Sequence, residues 1–245
     1  MTIFAKLLRF NNRFECLVFR SLSMNHVTKF FKVIHIFSLF LCMIGFGSIS
    51  LMAKTELKKM NLAKISIIVG STRSTNTGKL IAQSIQKLLQ RRSDISFEII
   101  FIDDYHLPFY TDGQSPASRK EEITDPIFKK WSDCIASAQK FIIISPEYNA
   151  GYPAALKNAL DCLYVEWNHK PVGFVCYSGG MSGGTSVLAQ LKQVAQGLEM
   201  VPVATSIKIP QSWKAFTPQG DLICAPDIAQ DLNKMVDELL HVNNA

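Results

Sequence analysis

From residue 61 onward the chain alternates short, β-rich apolar runs with longer stretches of helical spacing, and this alternation limits the available folds more than any other feature. Strands covered on both faces read as continuous apolar runs, and parallel neighbours need long crossovers, usually helices. Five strands are expected, at residues 64–69, 97–102, 141–145, 172–177 and 203–207. Five helices are expected at 78–90, 124–138, 154–164, 186–196 and 227–240. The first carries Leu80, Ile81, Ile85, Leu88 and Leu89 on one face. The second opens on Asp125-Pro126, the third follows Pro153, and the fourth stops before Gly197. Five such pairs predict an α/β three-layer fold around a parallel sheet of order 2-1-3-4-5. Long irregular connections are expected only at 105–117 and 210–225.

Residues 1–60 read as an N-terminal extension to a domain spanning 61–245. Within the extension, residues 33–53 (VIHIFSLFLCMIGFGSISLMA) carry no formal charge, and a bilayer core of roughly 30 Å needs a helix of about that length. Three readings stand side by side: a membrane span, a signal peptide with Lys29 and Lys32 ahead of the apolar run, or a non-native start, since Met24, Met52 and Met60 are alternative initiators. Lys54, Lys58, Lys59 and Lys64 slightly outnumber Arg20, Lys29 and Lys32, which would leave an anchored domain on the cytoplasmic side.

The 245 residues, 48% of them hydrophobic, suffice for one substantial core. The net charge of +6 is spread out, with no basic run interleaved with aromatics, so nucleic acid is not an expected partner. Cys16, Cys42, Cys134, Cys162, Cys176 and Cys224 show neither metal-ligand nor redox-motif spacing. They read as single thiols of a protein folded in reducing surroundings, which favours the cytoplasm. His106 and His169 have no ligand partner at a useful spacing, so no metal is expected.

In an open parallel sheet, ligands bind beyond the carboxyl ends of the strands, where the strand order reverses. After the first strand, residues 70–79 read GSTRSTNTGK and run straight into a helix. Their hydroxyls, the Arg73 guanidinium and the free N–H groups of a helix start suit an anion, although Ser, Thr and Asn there also serve as plain caps. The loop matches neither GxxxxGK[ST] nor GxGxxG, so a compact monophosphate fits better than a triphosphate or pyrophosphate. After the third strand, residues 145–161 read SPEYNAGYPAALKNALD, a rigid loop opening a helix, able to lay amides along a flat polar ring. After the fourth, residues 177–186 read YSGGMSGGTS, with four glycines in six residues, which allow either close backbone approach to a ligand or flexibility.

These three motifs, in this order, resemble the NADPH-dependent FMN reductase family, which includes quinone, azo-dye and chromate reductases, and the resemblance covers residues 64–242. It implies a flavodoxin-like fold, FMN as cofactor, NADPH or NADH as co-substrate, and a small-molecule acceptor reduced by hydride transfer through the flavin. It implies phosphate contacts from Ser71, Arg73, Asn76, Thr77 and Gly78, with either Thr75 or Thr77 as the hydroxyl donor. Pro146, Glu147, Tyr148 and Asn149 would hold the ring edge, and Ser178, Gly179 and Gly180 would line the ring. No catalytic side chain is required, because the flavin carries the chemistry. Many relatives carry an arginine where this chain has Thr185, Ser186 and Val187, which leaves NADPH against NADH open. The resemblance also implies a homodimer or homotetramer, with the Lys157–Asp161 helix facing a partner or merely bearing a surface pair.

Two other functions compete. A non-enzymatic FMN-binding electron carrier would share the fold, although such carriers tend to be acidic. A hydrolase is raised by Gly180-Met181-Ser182-Gly183-Gly184, which satisfies G-x-S-x-G, yet His241 is the only histidine downstream and makes a poor general base. Asp103 and Asp104, adjacent at a strand end, diverge in an extended chain and read as a solvated turn.

Overall fold

Five parallel strands pair in the order β2-β1-β3-β4-β5: β1 (Ala63–Val69), β2 (Ile95–Phe101), β3 (Lys140–Pro146), β4 (Pro171–Tyr177) and β5 (Val201–Ile209). This is the flavodoxin-like order expected from the sequence. The computed structural model describes residues 62–223 and 225–242. The apolar segment at 33–53, and with it the choice among span, signal and non-native start, lies outside the described residues. Among the described residues no helix is long and apolar enough to cross a membrane.

The helices are α1 (Thr77–Leu89), α2 (Pro126–Ser137), α3 (Ala154–Asp161), α4 (Thr185–Gly197) and α5 (Ala225–His241). Side chains alternate across a strand, so the central strands feed two separate apolar layers. Ile65, Ile67 and Val69 of β1 pack with Ile81, Ile85, Leu232 and Met235 of α1 and α5. Ile68, Ile143 and Phe174 face the opposite layer with Trp131, Leu156, Trp167 and Leu191, from α2 to α4 and the turn after α3. Gly173 makes room for α5: a Cβ there would stand 2.5 Å from Met235 Sδ.

The element ends depart from expectation where tertiary contacts decide them. The β2 strand begins at Ile95, because Ala63 and Lys64 of β1 pair with Ile95 and Ser96, and Ile102 already belongs to the 3-10 turn Ile102–Tyr105. The α3 helix stops at Asp161 rather than running to residue 164. Its late carbonyls are taken by indoles: Trp131 Nε1–H donates to Ala159 O at 2.8 Å and Trp167 Nε1–H to Leu160 O at 3.2 Å. Gly197 is the last residue of α4 and not its stop; Glu199, at φ 55°, takes the left-handed position instead.

The β5 strand is longer than expected at both ends, with an irregularity opposite Gly173, because Val172 pairs with Pro202 and Phe174 with Ser206. Glu238 of α5 satisfies the backbone released there. Thr205 N–H and its hydroxyl donate to the Glu238 carboxylate at 2.8 and 2.6 Å. Burial pushes that carboxyl up, but the Thr205 hydrogen bonds outweigh it and hold the pKa below the usual range.

Candidate active site

The strand order reverses between β1 and β3, and the loops following β1, β3 and β4 meet at that carboxyl edge. The first loop leaves β1 with Gly70 N–H bonded to Ile144 O of β3 at 2.9 Å. Asn76 then folds the loop on itself, its amide donating to Ser71 O while its Oδ1 accepts from Gly78 N–H at 2.9 Å as the cap of α1. These two bonds make Asn76 the residue that shapes the loop, and they use one of the two N–H donors of its amide. The N–H groups of Thr72, Ser74, Thr75 and Thr77 have no hydrogen-bond partner among the described residues. Thr75 is exposed and Thr77 half-buried at the first position of α1.

Tyr148 joins the second loop to the first. Its hydroxyl lies 2.9 Å from Ser71 Oγ, and the Arg73 guanidinium carbon sits 3.9 Å from the centre of its ring. The second loop is itself a tight turn, with Tyr148 and Gly151 exchanging both backbone bonds at 2.8 and 3.0 Å. Its central residues, Asn149 and Ala150, stand at φ 51° and 65°. Asn tolerates that region, but Ala150 is strained there, and Gln190 of α4 pins it by donating to Ala150 O at 2.9 Å.

Glu147 joins the second loop to the third. Gly184, the N-cap residue of α4, has no side chain with which to cap it. The Glu147 carboxylate does so from a distance, accepting from Ser186 N–H at 2.9 Å and Val187 N–H at 3.2 Å, and Ser182 Oγ donates to it at 3.4 Å. The Glu147 carboxylate thus caps α4 from the loop expected to hold a ring edge.

The glycines of the third loop divide into two pairs. Gly183 and Gly184 are left-handed, at φ 61° and 91°, and a Cβ on Gly184 would stand 2.8 Å from Cys176 Cβ. Gly179 and Gly180 are exposed, and a Cβ on either would meet nothing within 4 Å. Ser178 is buried beside them, as Pro146 is at the end of β3. Tyr177 is a site residue that sequence reasoning missed: a Cβ on Gly78 would stand 3.1 Å from its hydroxyl, so the end of β4 supports the first loop from below. Burial pushes the Tyr177 phenol well above its ordinary value. The three expected clusters are thus brought to one rim.

The profile of the NADPH-dependent FMN reductase family matches residues 63–214, the span that carries all three loops. The chain belongs to the NADPH-dependent FMN reductase family. The NAD(P)H-dependent FMN reductase of Schizosaccharomyces pombe is 37% identical over 150 residues, 60% of this chain and 74% of that protein. The NAD(P)H-dependent FMN reductase LOT6 of Saccharomyces cerevisiae is 31% identical over 189 residues, 73% of this chain and 94% of that protein. The flavoenzyme NAD(P)H:(acceptor) oxidoreductase FerB of Paracoccus denitrificans superposes with a TM-score of 0.60 at 23% identity, covering 74% of this chain and 99% of that one, which shows the shared fold.

Membership of this reductase family also settles the reading of Ser182. A nucleophile elbow places its serine on a sharp, strained turn. Here the left-handed residues are Gly183 and Gly184, not Ser182, and His241 Nδ1 faces Asp237 O at the far end of α5. His169 pairs with Glu199 on the surface, Nε2 to Oε2 at 3.9 Å. Asp103 and Asp104 lie in the 3-10 turn after β2.

Proposed function

We infer that the protein is an FMN-dependent NAD(P)H oxidoreductase whose cofactor is held by the three converging loops. One observation carries this reading: Tyr148 and Glu147, neighbours in sequence, tie the second loop to the first and the third, at the switch point of the sheet. The donor set fits FMN. Unpaired N–H groups at the start of α1 and the Arg73 guanidinium of the loop leading into it suit a monophosphate, and Ser71 and Thr77 belong to the same stretch. The N–H groups of Asn149 and Ala150 have no partner among the described residues and suit a polar ring edge. The open side of Gly179 and Gly180 leaves room for a flat ring. When bound, FMN supplies the two-electron chemistry that takes hydride from NADPH or NADH and reduces an acceptor. The chain's own part is to hold the phosphate and ring edge and to exclude water.

Flavins, quinones and similar small oxidised molecules are the acceptor class. Relatives of the chain bear the names quinone reductase and 2-hydroxy-1,4-benzoquinone reductase. The assembly is a homodimer or homotetramer, with the α3 face bearing Lys157 and Asp161, 2.7 Å apart, as its contact. The unbridged thiols of Cys134, Cys162 and Cys176 support a cytoplasmic domain, and residues 33–53 would tether it if they remain in the mature chain.

The test is spectroscopic. Purified protein titrated with FMN should bind it and show flavin absorbance; a chain that takes up no FMN overturns the reading. Arg73→Ala should weaken FMN about tenfold or more, the loss of one charge-assisted contact, while leaving riboflavin, which has no phosphate, unaffected. An equal loss for both ligands would show that Arg73 acts through Tyr148 and not on a phosphate.

A further inference from the structure

The third loop and the turn after β5 are braced together. Gln211 N–H donates to Gly180 O and Ser212 N–H to Ser178 O, both at 2.9 Å, while Ser178 N–H donates to Ile209 O at 3.2 Å. Gln211 stands at φ 46°, an uncommon conformation for a residue with a Cβ, kept where the surroundings impose it. This corner presents Trp213, in the 3-10 turn Ser212–Lys214, with 73% of its surface exposed. The other two tryptophans, Trp131 and Trp167, are fully buried. Met181, on the loop braced against that turn, is 76% exposed.

Trp213 has the Lys214 ammonium 5.4 Å from its ring centre, an exposed contact that contributes little to folding, whereas tryptophan is enriched where binding energy concentrates. We propose that Trp213, with Met181, is the platform on which a planar quinoid acceptor stacks at the site described above. This rests on the FMN-binding reading. Trp213 immediately follows Ser212, whose N–H bonds Ser178, and Gly179 and Gly180 beside it leave open space. An electron-rich indole face takes an electron-poor quinone ring in an offset stack, and a thioether adds a favourable edge contact. A second copy of the chain is a poorer occupant, because two side chains fall far short of the ~800 Å² that each partner of a stable pair buries.

The experiment uses the full chain loaded with FMN, with menadione as the planar acceptor and ferricyanide as one that cannot stack. Trp213→Ala should raise KM for menadione about tenfold, lower its kcat/KM relative to that for ferricyanide, and leave the Kd for FMN unchanged. Trp213→Phe, which keeps a flat ring, should restore most of that ratio. In the oxidised wild-type protein, menadione should quench the acrylamide-accessible tryptophan emission, and Trp213→Phe should abolish that quenching. An unchanged menadione to ferricyanide ratio overturns the proposal. So does a Trp213→Ala protein whose only change is dissociation to a smaller species in sedimentation. A wild-type chain without flavin absorbance overturns the underlying reading, and this proposal with it.

Discussion

At Glu147 one carboxylate closes a helix that begins 38 positions later, accepting from Ser186 N–H at 2.9 Å and Val187 N–H at 3.2 Å. A side-chain cap at this position is worth about 1–2 kcal/mol. Glu147→Ala should therefore destabilise the domain by about that amount in urea unfolding and loosen the third loop, while Glu147→Gln, which retains an acceptor, should lose less. An alanine variant with wild-type stability would show that the cap contributes nothing. The residue types that gather at this rim were legible in the sequence, but the internal bonds of two of them were not. A hydroxyl-rich stretch entering a helix announces an anion site, and Ser71, Arg73 and Gly78 lie where that signal puts them. Asn76 and Glu147 carry the same polar signature, and the internal bonds they make, to Ser71 and Gly78 and to the start of α4, leave no trace in it. No local pattern in the sequence shows that a carboxylate will accept from backbone N–H groups 39 and 40 positions away. Tyr177 was hidden for a related reason, since a tyrosine ending a buried strand reads as core.

At the level of elements, the cover of β4 by α5 depends on the missing side chain at Gly173. A Cβ there would stand 2.5 Å from Met235 Sδ and 2.8 Å from its Cγ, too close for rotation of the thioether end alone to relieve. Gly173→Ala should cost about 1–3 kcal/mol by overpacking, read as a lower urea midpoint, and Met235→Ala in the same chain should recover part of it. No loss in the single variant would mean that α5 is free to shift. The sequence revealed all five strands and all five helices in order, because strands covered on both faces leave unbroken apolar runs. It blurred their ends wherever the deciding atom was distant. The indoles of Trp131 and Trp167 end α3, Glu199 rather than Gly197 turns the chain after α4, and Pro202 with the exposed positions of β5 disguised that strand's true length.

For the molecule as a whole, the buried acids set a limit at high pH. Burial pushes the Cys162 and Cys176 thiols up to about 12, and burial also raises the phenols of Tyr105 and Tyr177. In the unfolded chain the thiols ionise near pH 9. Between that pH and about 12 the unfolded chain has therefore lost protons that the folded one keeps, and stability falls as pH rises. Lys140 and Lys170, lowered by burial, act in the opposite direction with smaller shifts. Thermal unfolding should show Tm holding up to about pH 9 and declining from there towards pH 12, with a shallower decline in Cys176→Ala; a flat profile would mean that these thiols are not sealed from water. The β5 border has a different consequence. Pro202 offers no amide, and the irregularity opposite Gly173 interrupts the even spacing of the backbone that follows, so another β-strand finds no continuous ladder to extend on that side. An edge interrupted in this way guards the sheet against growing, strand upon strand, into an endless ribbon.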